Sequence, residues 1–205
     1  NNASRDVLIQ RGKIAKIATN IPAEKNTVIK EKGLCVSPGW MDTCALFGDP
    51  GLEHKEDIAS GLNATAHGGF TAVVTMPITN PVVDNKASVE YAKFKSSNHL
   101  VQLFPAGALS KKAQGKQLAE MLDMHHTGAI AFSDYKEPIN NPELMHRALE
   151  YSKNFDGLIL SFPFDNTIAP DGVWHEGGAS VAHGVKGMPS ISEEMRLSRD
   201  IEILR

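Results

Sequence analysis

Eight histidines, two cysteines and 24 acidic residues are the side chains of this chain that could hold a metal or move a proton near neutral pH. Metal-assisted hydrolysis asks for three or four converging N, O or S ligands that acidify a bound water. The histidines His54, His67, His99, His125, His126, His146, His175 and His183 fall mostly on segments that read as helices or loops, and no His-x-His pair occurs. His125 and His126 are neighbours at a helix end, where successive side chains point about 100° apart. They read as charges suited to the helix dipole rather than as a chelate. His175-Glu176 follows the turn Pro170-Asp171-Gly172 and reads as loop hydrogen bonding, with no nucleophile beside it. Cys35 and Cys44 make neither a CxxC pair nor a disulfide framework. Cys44 reads as a buried small apolar residue because its i+2 partner is Leu46. Asp134 reads as a turn cap, and Met121, Met124 and Met145 as core.

The elements that would position such groups can be read from the hydrophobic pattern. With 205 residues, 41% hydrophobic and 22% charged, the chain has ordinary globular composition and excludes a disordered or collagen-like protein. A net charge of −3 leaves no basic surplus for a phosphate backbone, so nucleic acid is not expected as a partner. No apolar run approaches the ~20 residues of a membrane span, and the first residues carry no apolar secretion signal. The expectation is a soluble cytoplasmic protein. The absence of an initial Met and a helical reading up to Arg205 suggest a piece of a longer chain.

Residues 6–17 predict a hairpin turning at Arg11-Gly12, with short strands at 27–29 and 33–36. From Pro38 onward, apolar runs at 39–46, 70–76, 100–106, 128–133 and 157–162 alternate with helical stretches at 54–67, 86–96, 114–125, 142–154 and 190–204. That alternation predicts βαβ units and a parallel sheet. The fold class is α/β: a (β/α)8 TIM-type barrel, of which about five to six units are present at 38–205, behind a small N-terminal β-sandwich portion at 1–37. A doubly wound sheet is the competing architecture, against which no strand is followed by GxGxxG.

The segment Ser37-Pro38-Gly39-Trp40-Met41-Asp42-Thr43-Cys44-Ala45-Leu46-Phe47-Gly48-Asp49-Pro50-Gly51 resembles the opening strand of dihydroorotases in the amidohydrolase superfamily. The likeness continues in order and spacing through Glu53-His54-Lys55-Glu56-Asp57-Ile58, Gly68-Gly69-Phe70-Thr71, Met76-Pro77-Ile78-Thr79-Asn80-Pro81 and Asp84-Asn85. It extends through 128–134 and 144–151 to His175-Glu176-Gly177 and Gly187-Met188-Pro189, nearly the whole chain. The resemblance implies a pyrimidine-synthesis protein whose active relatives hold zinc and hydrolyse a cyclic amide.

It also implies where the chemistry should sit, and those positions are altered. The family's strand-one His-x-His falls on Cys44 and Leu46, its substrate-binding arginine on Gly48, and its second-loop asparagine on Ile78. The second acid of its Asp-Asp pair falls on Tyr135, and its strand-five histidine on Phe162. A carboxylated lysine has no equivalent on the fourth strand, and Lys136 lies outside it. No catalytic residue, metal ligand or cofactor is therefore expected. The resemblance to degenerate relatives implies a silent subunit that supports aspartate transcarbamoylase and associates with further copies of itself. The alternative is an active zinc-dependent cyclic amidohydrolase, dihydroorotase or hydantoinase-like, with non-standard ligands. A third reading is a small-molecule binder using the apolar mouth of Leu46, Ile78, Tyr135 and Phe162.

Overall fold

The computed structural model describes residues 3–23 and 26–205, which divide into units at 1–38 and 39–205. In the first unit, β1 (Asp6–Gln10) pairs antiparallel with β2 (Lys13–Ala18). Arg11 and Gly12 connect them with φ of 51° and 73°. Both central residues at positive φ is the turn whose twist matches that of the flanking strands. The backbone N–H of Ile21 donates to the Asp6 carboxylate at 2.9 Å and closes the open end. Residues 27–29 and 33–36 are not strands, contrary to expectation, and Val28, Ile29, Leu34 and Val36 are exposed. β-branched residues favour a strand only where a partner takes up the backbone groups.

The second unit is built on a parallel sheet in the order β3 (Trp40–Ala45), β4 (Phe70–Thr75), β5 (Gln102–Gly107), β6 (Ala131–Phe132), β7 (Leu158–Ile159). Strand order follows chain order without reversal, which selects the curled half-barrel over the doubly wound sheet. The period of two sorts each strand's residues between faces. Val73 and Leu103 point outward with Phe47, Ile58, Leu62 and Ala92. Val74, Phe104, Ala106 and Ala131 point inward with Met76, Tyr135 and Leu160.

The crossover helices are α1 (Ile58–His67), α2 (Lys86–Ser96), α3 (Met121–Thr127) and α4 (Pro142–Ser152). α1 starts four residues later than its acids suggest. Asp57 is extended and accepts from the Ser60 backbone N–H at 2.8 Å, and the Ser60 hydroxyl returns to the Asp57 N–H as a capping box. That bond holds the Asp57 carboxyl below its ordinary value. Asp57→Ala is expected to remove this cap and lower Tm by about 2–4 °C, as calorimetry would read.

The largest departure lies before α3. Residues 114–120 are not helical: Lys111–Ala113 make a 3-10 turn, Lys112, Ala113 and Gly115 take positive φ, and Ser110 bridges to Leu118. Only seven residues remain for the helix, anchored by fully buried Met121 and Met124. Further along, β8 (Trp174–His175) pairs with β9 (Gly187–Met188) around α5 (Gly178–Ala182), so His175 belongs to a strand and not to a loop. α6 (Ile191–Leu204) packs on α4. Buried Arg196 pins it by donating to the Ile139 carbonyl at 3.2 Å, Asn140 at 2.7 Å and Asp165 at 3.1 Å. Among the described residues no helix is long and apolar enough to cross a membrane.

Candidate active-site rim

Barrel enzymes work at the carboxyl ends of their strands. At the end of β3 the pairing with β4 shifts register between Asp42 and Ala45, and Ala45 and Phe47 join the outer core. Cys44 and Leu46 are both exposed, which corrects the expectation that Cys44 is buried. The inner face of a half-barrel has no opposing strands among the described residues to cover it. Leu46 offers only carbon to a metal.

Gly48 lies two residues further on and is buried. Its N–H donates to the Glu56 carbonyl at 2.8 Å, and its own carbonyl accepts from Leu52 at 2.6 Å. A Cβ at this position would overlap the Leu52 carbonyl. The position matched to the family's arginine is thus one where this loop admits no side chain at all. Ile78, half-buried after β4, is apolar where the resemblance asks for an amide.

Past β6, Asp134 is 3% exposed and is not the cap of its own turn. One carboxylate oxygen accepts the N–H groups of Leu109 and Ser110, each at 2.9 Å, and the other accepts the Ser110 hydroxyl. Burial raises this carboxyl above its ordinary value, against the lowering by those hydrogen bonds. The acid therefore ties the loop after β5 to the end of β6, with both oxygens engaged. Tyr135 follows with φ of 57° and packs its ring on the inner cluster of Val74, Met76, Ala106 and Ala131. An aspartate tolerates this left-handed conformation better than a bulky side chain. The loop backbone thus keeps a shape suited to the family's acid while the side chain is tyrosine. Phe162, beyond β7, lies half-buried with its ring centroid 5.9 Å from that of Phe164.

The remaining histidines sit apart. His99 accepts from the Val101 N–H at 3.0 Å, so its other nitrogen donates to Asn63 at 3.1 Å. His183 stacks on Trp174. His146 faces Glu150 along α4 at 3.7 Å. His125 does lie in the last turn of α3, its ring 5.0 Å from that of Phe155. Among the described residues no three His, Cys, Asp or Glu side chains group closely enough to hold a metal ion. The rim residues present here do not fit zinc: at the four positions matched to the family's metal ligands stand a thiol, a leucine, a phenol and a phenylalanine.

Two polar residues that organise the rim were not singled out from the sequence. Ser110 is fully buried, and its oxygen also accepts the Gly115 N–H at 2.7 Å. Buried Asp49 accepts the Tyr91 hydroxyl at 2.5 Å, with Lys95 at 3.9 Å, and ties the loop after β3 to α2. The hydrogen bond to Asp49, and then burial, raise the Tyr91 phenol. A serine or aspartate beside turn residues reads as exposed turn chemistry, and no local signal marks these two as core.

The comparisons agree with this architecture. A family model described as dihydro-orotase-like matches residues 33–204. The dihydroorotase of Acetivibrio thermocellus is 41% identical over 201 residues, covering 98% of this chain and 47% of its own. That of Citrifermentans bemidjiense is 41% identical over 202 residues, with 98% and 48% covered. The chain therefore spans about half the length of these curated relatives. The L-hydantoinase (dihydropyrimidinase) of Arthrobacter aurescens superposes with a TM-score of 0.71 at 17% identity, over 97% of this chain and 46% of its own, so it shares the fold. The match runs from residue 33 to residue 204 and holds at about 40% identity across nearly the whole chain, and by it the chain belongs to the dihydroorotase-like family.

Proposed function

We propose that this chain serves pyrimidine biosynthesis in the cytoplasm as a non-catalytic member of its family, associating with copies of itself and supporting aspartate transcarbamoylase. The observation that carries the reading is the closed loop at Gly48, where not even a Cβ fits, beside strand ends that present Leu46 and Phe162. Substitution of ligands alone could be offset by new donors. A loop that leaves no room for a Cβ at Gly48 leaves none for the arginine that the resemblance places there. Asp134 supports the same reading, because its oxygens are engaged in holding the neighbouring loop.

The test is metal content and dihydroorotate hydrolysis of the purified full-length protein, each with and without the transcarbamoylase of the same source. The expected result is less than one-tenth equivalent of bound zinc and no turnover, with transcarbamoylase activity that falls when this protein is removed. Stoichiometric zinc with turnover would place the chain among the active dihydroorotases. Full transcarbamoylase activity without it would end the supporting role.

A further inference from the structure

We propose that the loop joining β5 to α3, residues 108–120, is a docking surface for an acidic face of a partner protein. The stretch Ser110-Lys111-Lys112-Ala113-Gln114-Gly115-Lys116-Gln117-Leu118 carries three lysines and no acid, in a chain whose net charge is −3. All three lysines are exposed. The lysine ion pairs among the described residues use Lys86, Lys95 and Lys186, and none uses Lys111, Lys112 or Lys116. Lys136, on the next loop of the same rim, has no carboxylate partner either and lies 5.4 Å over the Tyr135 ring.

The backbone that carries these cations is ordered by its hydrogen bonds. Ser110 is fully buried and bonded to Asp134, two residues before Lys136. The Lys111 N–H donates to the Gln117 carbonyl at 2.8 Å, the Gly115 N–H to Ser110 at 2.7 Å, and the Lys112 N–H to the Asp84 carboxylate at 2.9 Å. Asp84 is thereby engaged by backbone and by Asn85, and does not neutralise the lysines' ammonium groups through a contact. Lys112 and Ala113 stand at φ of 56° and 53°, a conformation that costs an L side chain about 1 kcal/mol or more and persists where the surroundings impose it. A merely solvated connection would place glycine there. A cluster of unpaired ammonium groups on an ordered backbone attracts an opposite patch at long range. The negative total charge disfavours nucleic acid.

The identity of the occupant as the transcarbamoylase rests on the reading above, whereas its acidic character rests on the loop. The full-length protein is therefore titrated separately with poly-L-glutamate, with a DNA duplex, and with the transcarbamoylase of its own source. K111E/K112E/K116E, the milder K111Q/K116Q and a control reversal of exposed lysines elsewhere, K13E/K16E/K153E, are compared after circular dichroism has established their folding. The expected result is salt-sensitive poly-L-glutamate binding that weakens at least tenfold in the triple variant, several-fold in K111Q/K116Q, and little in the control. Loss that is equal in the control, no binding by the unaltered protein, or a preference for DNA would overturn the proposal. Lysine-dependent poly-L-glutamate binding without any transcarbamoylase complex would leave the docking surface standing and overturn the named partner.

Discussion

Asp134→Ala is expected to cost about 3–5 kcal/mol of stability, whereas Asp134→Asn should lie within about 1.5 kcal/mol of the parent. The alanine leaves the Leu109 and Ser110 N–H groups and the Ser110 hydroxyl without their acceptor in a site 3% exposed. The asparagine keeps one oxygen for both N–H groups, and its amide can donate to the Ser110 oxygen. The two variants should also separate with pH. Burial raises the folded-state carboxyl above 3.8, so the folded protein holds this proton more tightly than the unfolded chain does. Its contribution is then greatest below the unfolded value and is lost as pH rises through the folded one. Asparagine does not titrate, so its stability relative to the parent should improve from acid to neutral pH. Urea unfolding of the three proteins between about pH 3 and 7 measures both effects. An alanine variant as stable as the parent would mean that the loop finds other acceptors, and that Asp134 does not hold it.

Gly48→Arg, which restores the residue type the family uses, is expected to destabilise the protein by about 3 kcal/mol or more. Gly48→Ala should already carry most of that cost, because the clash with the Leu52 carbonyl begins at Cβ. By contrast, Cys44→His and Leu46→His replace exposed side chains and should change stability by no more than about 1 kcal/mol. Denaturant midpoints of the four variants give the comparison. A Gly48→Arg protein with the parent's midpoint would show that the loop adapts, and the strongest support for a silent rim would be gone.

These contrasts mark where sequence reading succeeds and where it stops. The alternation of apolar runs and helical stretches located all five sheet strands, because a parallel sheet covered by helices forces that pattern on the chain. Helix α4 was legible as the helical stretch at 142–154, and the structure shows Asn141 capping it with Pro142 in its first turn. The failures were local patterns without a tertiary partner. Residues 27–29 and 33–36 have strand composition and no neighbouring strand among those described. Residues 114–120 have helical spacing, yet buried Ser110 and the left-handed residues after it commit the backbone to a tight reversal.

The same division runs through the rim. Sequence alone determined which atoms stand at the strand ends, since a leucine or phenylalanine has no lone pair in any conformation. The strand period of two does not extend through Cys44 and Leu46, because the pairing with β4 shifts register between Asp42 and Ala45. Only the tertiary structure decided that Gly48 has no room beside it, that Asp134 is engaged by a loop 24 and 25 residues earlier, and that three lysines are held unpaired on that loop. Steric exclusion and hydrogen bonding act between groups distant in the chain, and local residue order carries no record of which distant groups will meet.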